Sequence, residues 1–150
     1  MNCVVLLQNA WSREYAGREW PRESWLRALH RSRTGRRLRV VFPDPNDPGV
    51  YYENTTPMVA DDPDGVCEPD LGHVLDVLER RRPEFVLACG AQAKSVATRL
   101  WPGRLITTPH PAHRLVTNDL FALCRGMILS GDFHREALIQ FPGLVERRAL

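Results

Sequence analysis

Phe85-Val86-Leu87-Ala88-Cys89-Gly90 opens a stretch, FVLACGAQAKSVATRLWPGRLITTPHPAH (residues 85–113), from which the architecture follows. Five consecutive apolar residues bounded by a glycine read as a strand buried on both faces, the pattern of a parallel sheet covered by helices. Gly90 allows a tight strand-to-helix turn, Ala91–Leu100 reads as the helix, and Leu105–Thr108 as the next strand. Working outward, Cys3–Leu7 is another continuous apolar run, and Pro21–His30 begins with a proline suited to a first helical turn. Leu38–Phe42 reads as a second strand, stopped by the Pro/Asp-rich loop Pro43–Gly49, and Val50–Glu53 as a third. Asp70 is placed to cap a helix over Leu71–Arg82 with Leu71, Val74, Leu75 and Leu78 on one face, ended by Pro83. Asn118 or Thr117 opens a helix through Leu129, and a short helix is expected near His134–Ile139. Strands alternating with helices predict a three-layer α/β/α sandwich with a mostly parallel central sheet.

At 150 residues, with 43% hydrophobic and 25% charged side chains, the chain is expected to form one soluble domain over residues 1–150. No apolar run approaches the roughly 18 residues of a membrane span, and residues 1–10 show no basic segment ahead of an apolar one. A cytoplasmic monomer without a signal peptide is therefore expected. Lys94 is the only lysine among 20 basic residues, and Arg31, Arg33, Arg36, Arg37 and Arg39 cluster. Arginine suits bidentate phosphate contacts, and an Arg-biased genome gives the same composition. Cys3, Cys67, Cys89 and Cys124 match no zinc or iron–sulfur spacing, so reduced thiols and no metal are expected. The breaker-rich segment 60–70 (ADDPDGVCEPD) reads as a surface loop.

Three strand ends carry chemistry. Cys3–Leu7 runs into Gln8-Asn9-Ala10-Trp11-Ser12, Val50–Glu53 into Asn54, and Leu105–Thr108 into His110-Pro111-Ala112-His113-Arg114. In open α/β sheets ligands bind outside the carboxyl ends of the strands, so these loops are expected to share a pocket.

The order and placement of these motifs resemble the uracil-DNA glycosylase superfamily, over about residues 3–129. The family's first motif is commonly G-Q-D-P-Y-H, or G-x-N-P-G in its mismatch-specific branch, where this chain has Leu7-Gln8-Asn9-Ala10-Trp11-Ser12. Its last motif is H-P-S-P-L or similar, against His110-Pro111-Ala112-His113-Arg114. The resemblance implies that His110 donates to a base carbonyl as negative charge builds there, and that Asn9 orients the attacking water. It implies that Asn54 reads the pairing edge of a flipped base, and that Gln8 and Trp11 line the base pocket. It also implies that Arg114, or its neighbour Leu115, fills the gap in the duplex, while Ser12 and the backbone of Pro111, Ala112 and His113 contact DNA phosphates. Each residue has a plainer competing role: a turn cap for His110, a strand-to-turn residue for Asn9, an Asx-turn for Asn54, core packing for Trp11 and a solvated surface position for Arg114.

Leu7 and Ala10 replace the family's Gly and Pro, and Asn9 replaces the Asp of the fastest uracil-removing branch. These departures point to a divergent member whose base need not be uracil, a bulky modified pyrimidine among the candidates. Asp44 or Asp47 would be alternative catalytic acids. The expected activity is that of a monofunctional DNA glycosylase leaving an abasic site without metal or organic cofactor, in base-excision repair or in defence against phages with modified DNA. A non-catalytic nucleic-acid-binding module of the same fold, and an N-glycosidase acting on free nucleosides or nucleotides, are the alternatives.

Overall fold

The computed structural model describes residues 1–138. Its element order is β1 (Cys3–Leu7), α1 (Arg22–Arg31), α2 (Arg33–Val41), β2 (Val50–Asn54), α3 (Leu71–Arg81), β3 (Phe85–Cys89), α4 (Ala91–Leu100), β4 (Arg104–Thr108), α5 (Asn118–Ser130) and β5 (Arg135–Ala137). The five strands form one sheet in the order β2-β1-β3-β4-β5, and every pairing is parallel.

Strand residues alternate between two cores. Cys3, Val5, Leu7, Leu87 and Ile106 pack with Trp25 and Leu29 of α1, Leu38 and Val41 of α2, and Leu120, Phe121 and Cys124 of α5. Val4, Leu6, Val86, Ala88 and Leu105 pack on the other side with Val74, Val77 and Leu78 of α3, and Ala93, Val96 and Ala97 of α4. The molecule is thus an α/β/α sandwich with α1, α2 and α5 on one face and α3 and α4 on the other.

Two elements differ from the sequence expectation. Residues 38–41 belong to helix α2 and Phe42 is its C-cap, so this run is not a strand. Ser32 caps it by accepting from the Gly35 N–H (3.1 Å), and Thr34, Gly35, Leu38 and Val41 are its buried face, a helical spacing. Gly35 is required where α1 and α2 meet, since a Cβ there would lie 2.0 Å from the Leu29 carbonyl oxygen. Near residue 134 the chain forms the short strand β5 against β4 instead of a helix, its side chains exposed and its backbone satisfied by the sheet edge. Ile139, the last residue of the expected helix, lies outside the described residues. The cap of α3 is as expected, with Asp70 accepting from the His73 N–H at 3.0 Å. The stripe of α3 is rotated slightly: Val77 is buried, whereas Leu75 is exposed.

β2 follows β1 on one side, and the chain then crosses to β3 on the other side of β1. This reversal opens a crevice at the carboxyl ends of the strands. Those ends are level: Leu7 pairs with Asn54, and Cys89 with Thr108.

Candidate functional site

Asn9 and Trp11 after β1, Asn54 at the end of β2 and His110 after β4 line one cavity of about 200 Å³ at this carboxyl edge. Trp20 and Trp25 form further walls, and Ser32 and Thr34 contribute from the start of α2. Three strand ends far apart in sequence therefore converge as expected.

His110 is held by its own turn. The Ala112 N–H donates to His110 Nδ1 at 3.0 Å, so the neutral ring carries its proton on Nε2. Burial disfavours the charged form and, with the nearby His113 as a second cause, pushes the pKa of His110 below its usual value. A Cβ on Gly90 would be in ordinary contact with the Cβ and ring of His110, 3.5 and 3.6 Å away, so His110 packs beside Gly90. Gly90, with φ +97°, precedes the first residue of α4, so the positive end of that helix also opposes an imidazolium. Occupying Nδ1 in the turn leaves Nε2–H as the ring's free donor.

Asn54 is buried, with 8% exposure, and its backbone N–H donates to Glu53 Oε1 at 3.0 Å. Among the described residues no group hydrogen-bonds its carboxamide, which leaves both a donor and an acceptor for a ligand. Asn9 is more committed. Its Oδ1 accepts from the Cys67 N–H at 3.3 Å, and its Nδ2 makes long contacts of 3.4 Å to the carbonyls of Ala10 and Gly65. One lone pair of Oδ1 remains to hold a water. Trp11 is 39% exposed, so it rims the cavity and is not a core residue.

Other expected residues lie outside this cavity. Gln8 is tied through its main-chain carbonyl to the Thr55 N–H (3.0 Å), and Ser12 is half-buried beyond the lining. Pro111 is buried and Ala112 half-buried, whereas His113, Arg114 and Leu115 are exposed on the far side of the turn. Lys94 sits in α4, outside the lining.

Asp44 and Asp47 lie away from this cavity. Their carboxylates accept from Asn46 and Gly49 N–H groups within their own loop (both 2.8 Å), and the Gly49 carbonyl meets the N–H of Cys3, the first residue of β1. That is the amino edge of the sheet, opposite the cavity. The arginine cluster is also partly spent on structure. Arg37 Nη1 donates to the carbonyls of Pro111 (2.6 Å) and His113 (3.0 Å), bracing the His-Pro turn against α2. Arg39 donates to the Tyr52 hydroxyl at 2.8 Å, and Arg36 to the Arg31 carbonyl at 3.1 Å.

A second cavity, of about 350 Å³, adjoins the first and shares Ala10, Trp20, Trp25 and Asn54 with it. It wraps the free edge of β2 and holds Arg22, Glu53 and His73, which the sequence reading did not select. The available signal was the period of β2: Val50, Tyr52 and Asn54 face one way, so Tyr51 and Glu53 face the other, toward α3.

The cysteines are unpaired thiols, and burial pushes Cys89 and Cys124 up to about 12. Among the described residues no helix is long and apolar enough to cross a membrane. The chain matches no protein-family model, no curated protein and no solved structure.

Proposed function

We infer that this chain is a monofunctional DNA glycosylase that takes a flipped pyrimidine base into the 200 Å³ cavity and excises it hydrolytically. The observation that carries this reading is His110, placed in the same cavity as Asn54 and Asn9 and held neutral with Nε2–H as its donor. Departure of a base breaks the C1′–N bond, and the bonding electron pair leaves with the base. A fixed neutral donor stabilises the charge that develops on the base oxygen without having to reorganise. Asn54 reads the pairing edge with its unoccupied carboxamide. Asn9 Oδ1 holds the water whose oxygen bonds to C1′, and the water's surplus proton ends on the base. The product is an abasic site, and the chemistry uses no metal or organic cofactor. The enzyme would act as a monomer in the cytoplasm, in base-excision repair or against phage DNA with modified bases. Ser12, Ala112, His113 and Arg114 would face the DNA, Arg114 as the side chain that fills the emptied stack.

An N-glycosidase for free nucleosides is the second reading. The inward turn of Arg37 favours it, because a guanidinium bonded to loop carbonyls is not gripping phosphate.

Both are tested by incubating the protein with oligonucleotides carrying a panel of normal and modified pyrimidines, then treating with alkali to cut abasic sites. Strand scission at one base type supports DNA excision. Base release from nucleosides alone supports the second reading, and neither product rejects both.

A further inference from the structure

The cavity at the edge of β2 is built for a ligand group of a particular kind. Glu53 is 12% exposed and His73 21% exposed, so both are largely shielded. His73 Nε2 is buried without a hydrogen-bond partner, 3.6 Å from Glu53 Oε1. Arg22 Nη1 lies 3.3 Å from Glu53 Oε2, while its Nη2 donates to the Tyr52 carbonyl on the open edge of the strand at 2.7 Å. The cavity thus presents an acceptor carboxylate, a donor guanidinium and an unsatisfied ring nitrogen, between the walls of Trp20 and Trp25. A buried polar atom left without a partner costs free energy, which a ligand supplying that partner recovers. An apolar occupant would leave His73 Nε2 stranded. An anion would meet Glu19 and Glu53, and a cation would meet Arg22. Hydroxyl groups, each both donor and acceptor, satisfy every one of them. A volume of about 350 Å³ falls in the small-molecule range of about 300–1,000 Å³.

The two cavities share a wall. Asn54 lines both, and Glu53 accepts from the Asn54 N–H. We propose that the β2-edge cavity binds a neutral, polyhydroxylated substituent, a sugar, carried by the pyrimidine that sits in the first cavity. This rests on the reading that the first cavity takes a base. The substrate class is then a glycosylated pyrimidine in DNA, with Glu53, Arg22 and His73 as its specificity-determining residues.

The test uses the full chain and oligonucleotides with a single cytosine, 5-hydroxymethylcytosine or glucosylated 5-hydroxymethylcytosine. Base release under single-turnover conditions and equilibrium binding are measured side by side. The wild-type protein is expected to favour the glucosylated base, and Glu53→Gln and His73→Ala should each shrink that preference about 10- to 100-fold, the scale of a lost hydrogen bond to a charged group. Thermal unfolding checks that the variants remain folded, and the wild-type comparison carries the test if they do not. Preferential binding of the glucosylated oligonucleotide without any base release keeps the sugar site and rejects excision. Base release or binding that ignores the sugar rejects the sugar site and leaves excision standing. A wild-type preference that survives in both folded variants also overturns it.

Discussion

The two faces of the sheet are packed differently. On the α3/α4 face the sheet and helices meet through small and medium side chains, Ala88, Ala93, Ala97, Val74, Val77 and Val86, all buried. On the α1/α2/α5 face the contacts are large, with Trp25, Phe42, Phe85, Phe121 and Phe133 in the core. Small side chains let a helix approach the sheet closely, whereas large rings fill a wider interval between them. The 200 Å³ cavity opens on the side of the large rings, beneath α1 and the start of α2. The proposed base site thus lies on the side of the large rings, and the small side chains of the α3/α4 face lie behind it.

The largest way to break this contrast is to remove a ring from the α1/α2/α5 face. Phe121 is fully buried in α5, and Phe121→Ala should cost about 3–5 kcal/mol of stability. Chemical denaturation with linear extrapolation measures it. A loss under 1 kcal/mol would mean that this face tolerates voids and that its rings are not what holds it together.

Next comes the chemistry. His110→Ala and Asn9→Ala should each slow single-turnover base release by at least about 10²-fold, the scale of losing one transition-state donor. Binding to an abasic duplex should change far less, because neither residue is assigned to phosphate. Asn9→Ala also releases the contacts to Gly65 and Cys67, so proteolytic sensitivity of the 60–70 loop reports separately on that structural part. Base release at the wild-type rate in both folded variants would remove the mechanism.

The α3/α4 face answers to added volume beneath α4. Ala93 is fully buried in α4 against the sheet, and Ala93→Leu should destabilise by about 1–3 kcal/mol through overpacking. A neutral result in thermal unfolding would show that α4 can move off the sheet, and the close fit inferred for this face would be wrong.

The contrast also explains what could be read in the chain itself. Residues 85–108 were legible to within a residue because a strand buried on both faces, a glycine at positive φ and a helix of ordinary length are all local signals. Residues 38–42 were not. Leu38, Val41 and Phe42 form a short apolar run, and such a run fits strand or helix until its partners are known. What settles it is the Ser32 cap and the close approach of α2 to Leu29, a tertiary fact. β5 is similar, since three exposed residues become a strand only because β4 offers them an edge. Asn9, Trp11, Asn54 and His110 could be grouped because parallel strands bring their carboxyl ends together by topology alone. Arg22, Glu53 and His73 could not, because their meeting depends on β2 being the edge strand, between α1 and α3.

The smallest expected effect is the pH response, and its sign separates the two parts His110 plays. In the proposed mechanism the ring works as a neutral donor, with Nδ1 taken by the Ala112 N–H. Protonating Nδ1 sets two donors face to face and breaks the turn. Because burial lowers the pKa of His110 below 6.5, base release should persist at pH 6.5, where a free imidazole is half protonated. At lower pH it should fall by at most about tenfold per unit, the limit for one titrating group. Stability follows the same sign. Below pH 6.5 the unfolded His110 takes up a proton that the folded one refuses, so stability is lost as pH falls from 6.5 toward the folded pKa. His30, also pushed down by burial, adds to the same loss. His110→Ala should remove part of this slope, measured by denaturant titrations from pH 8 to 5, while His30 keeps the rest. A base-release rate that instead rises as pH falls through this range would mean that the imidazolium is the working form, and the neutral-donor mechanism would give way to general acid transfer from His110 to the leaving base.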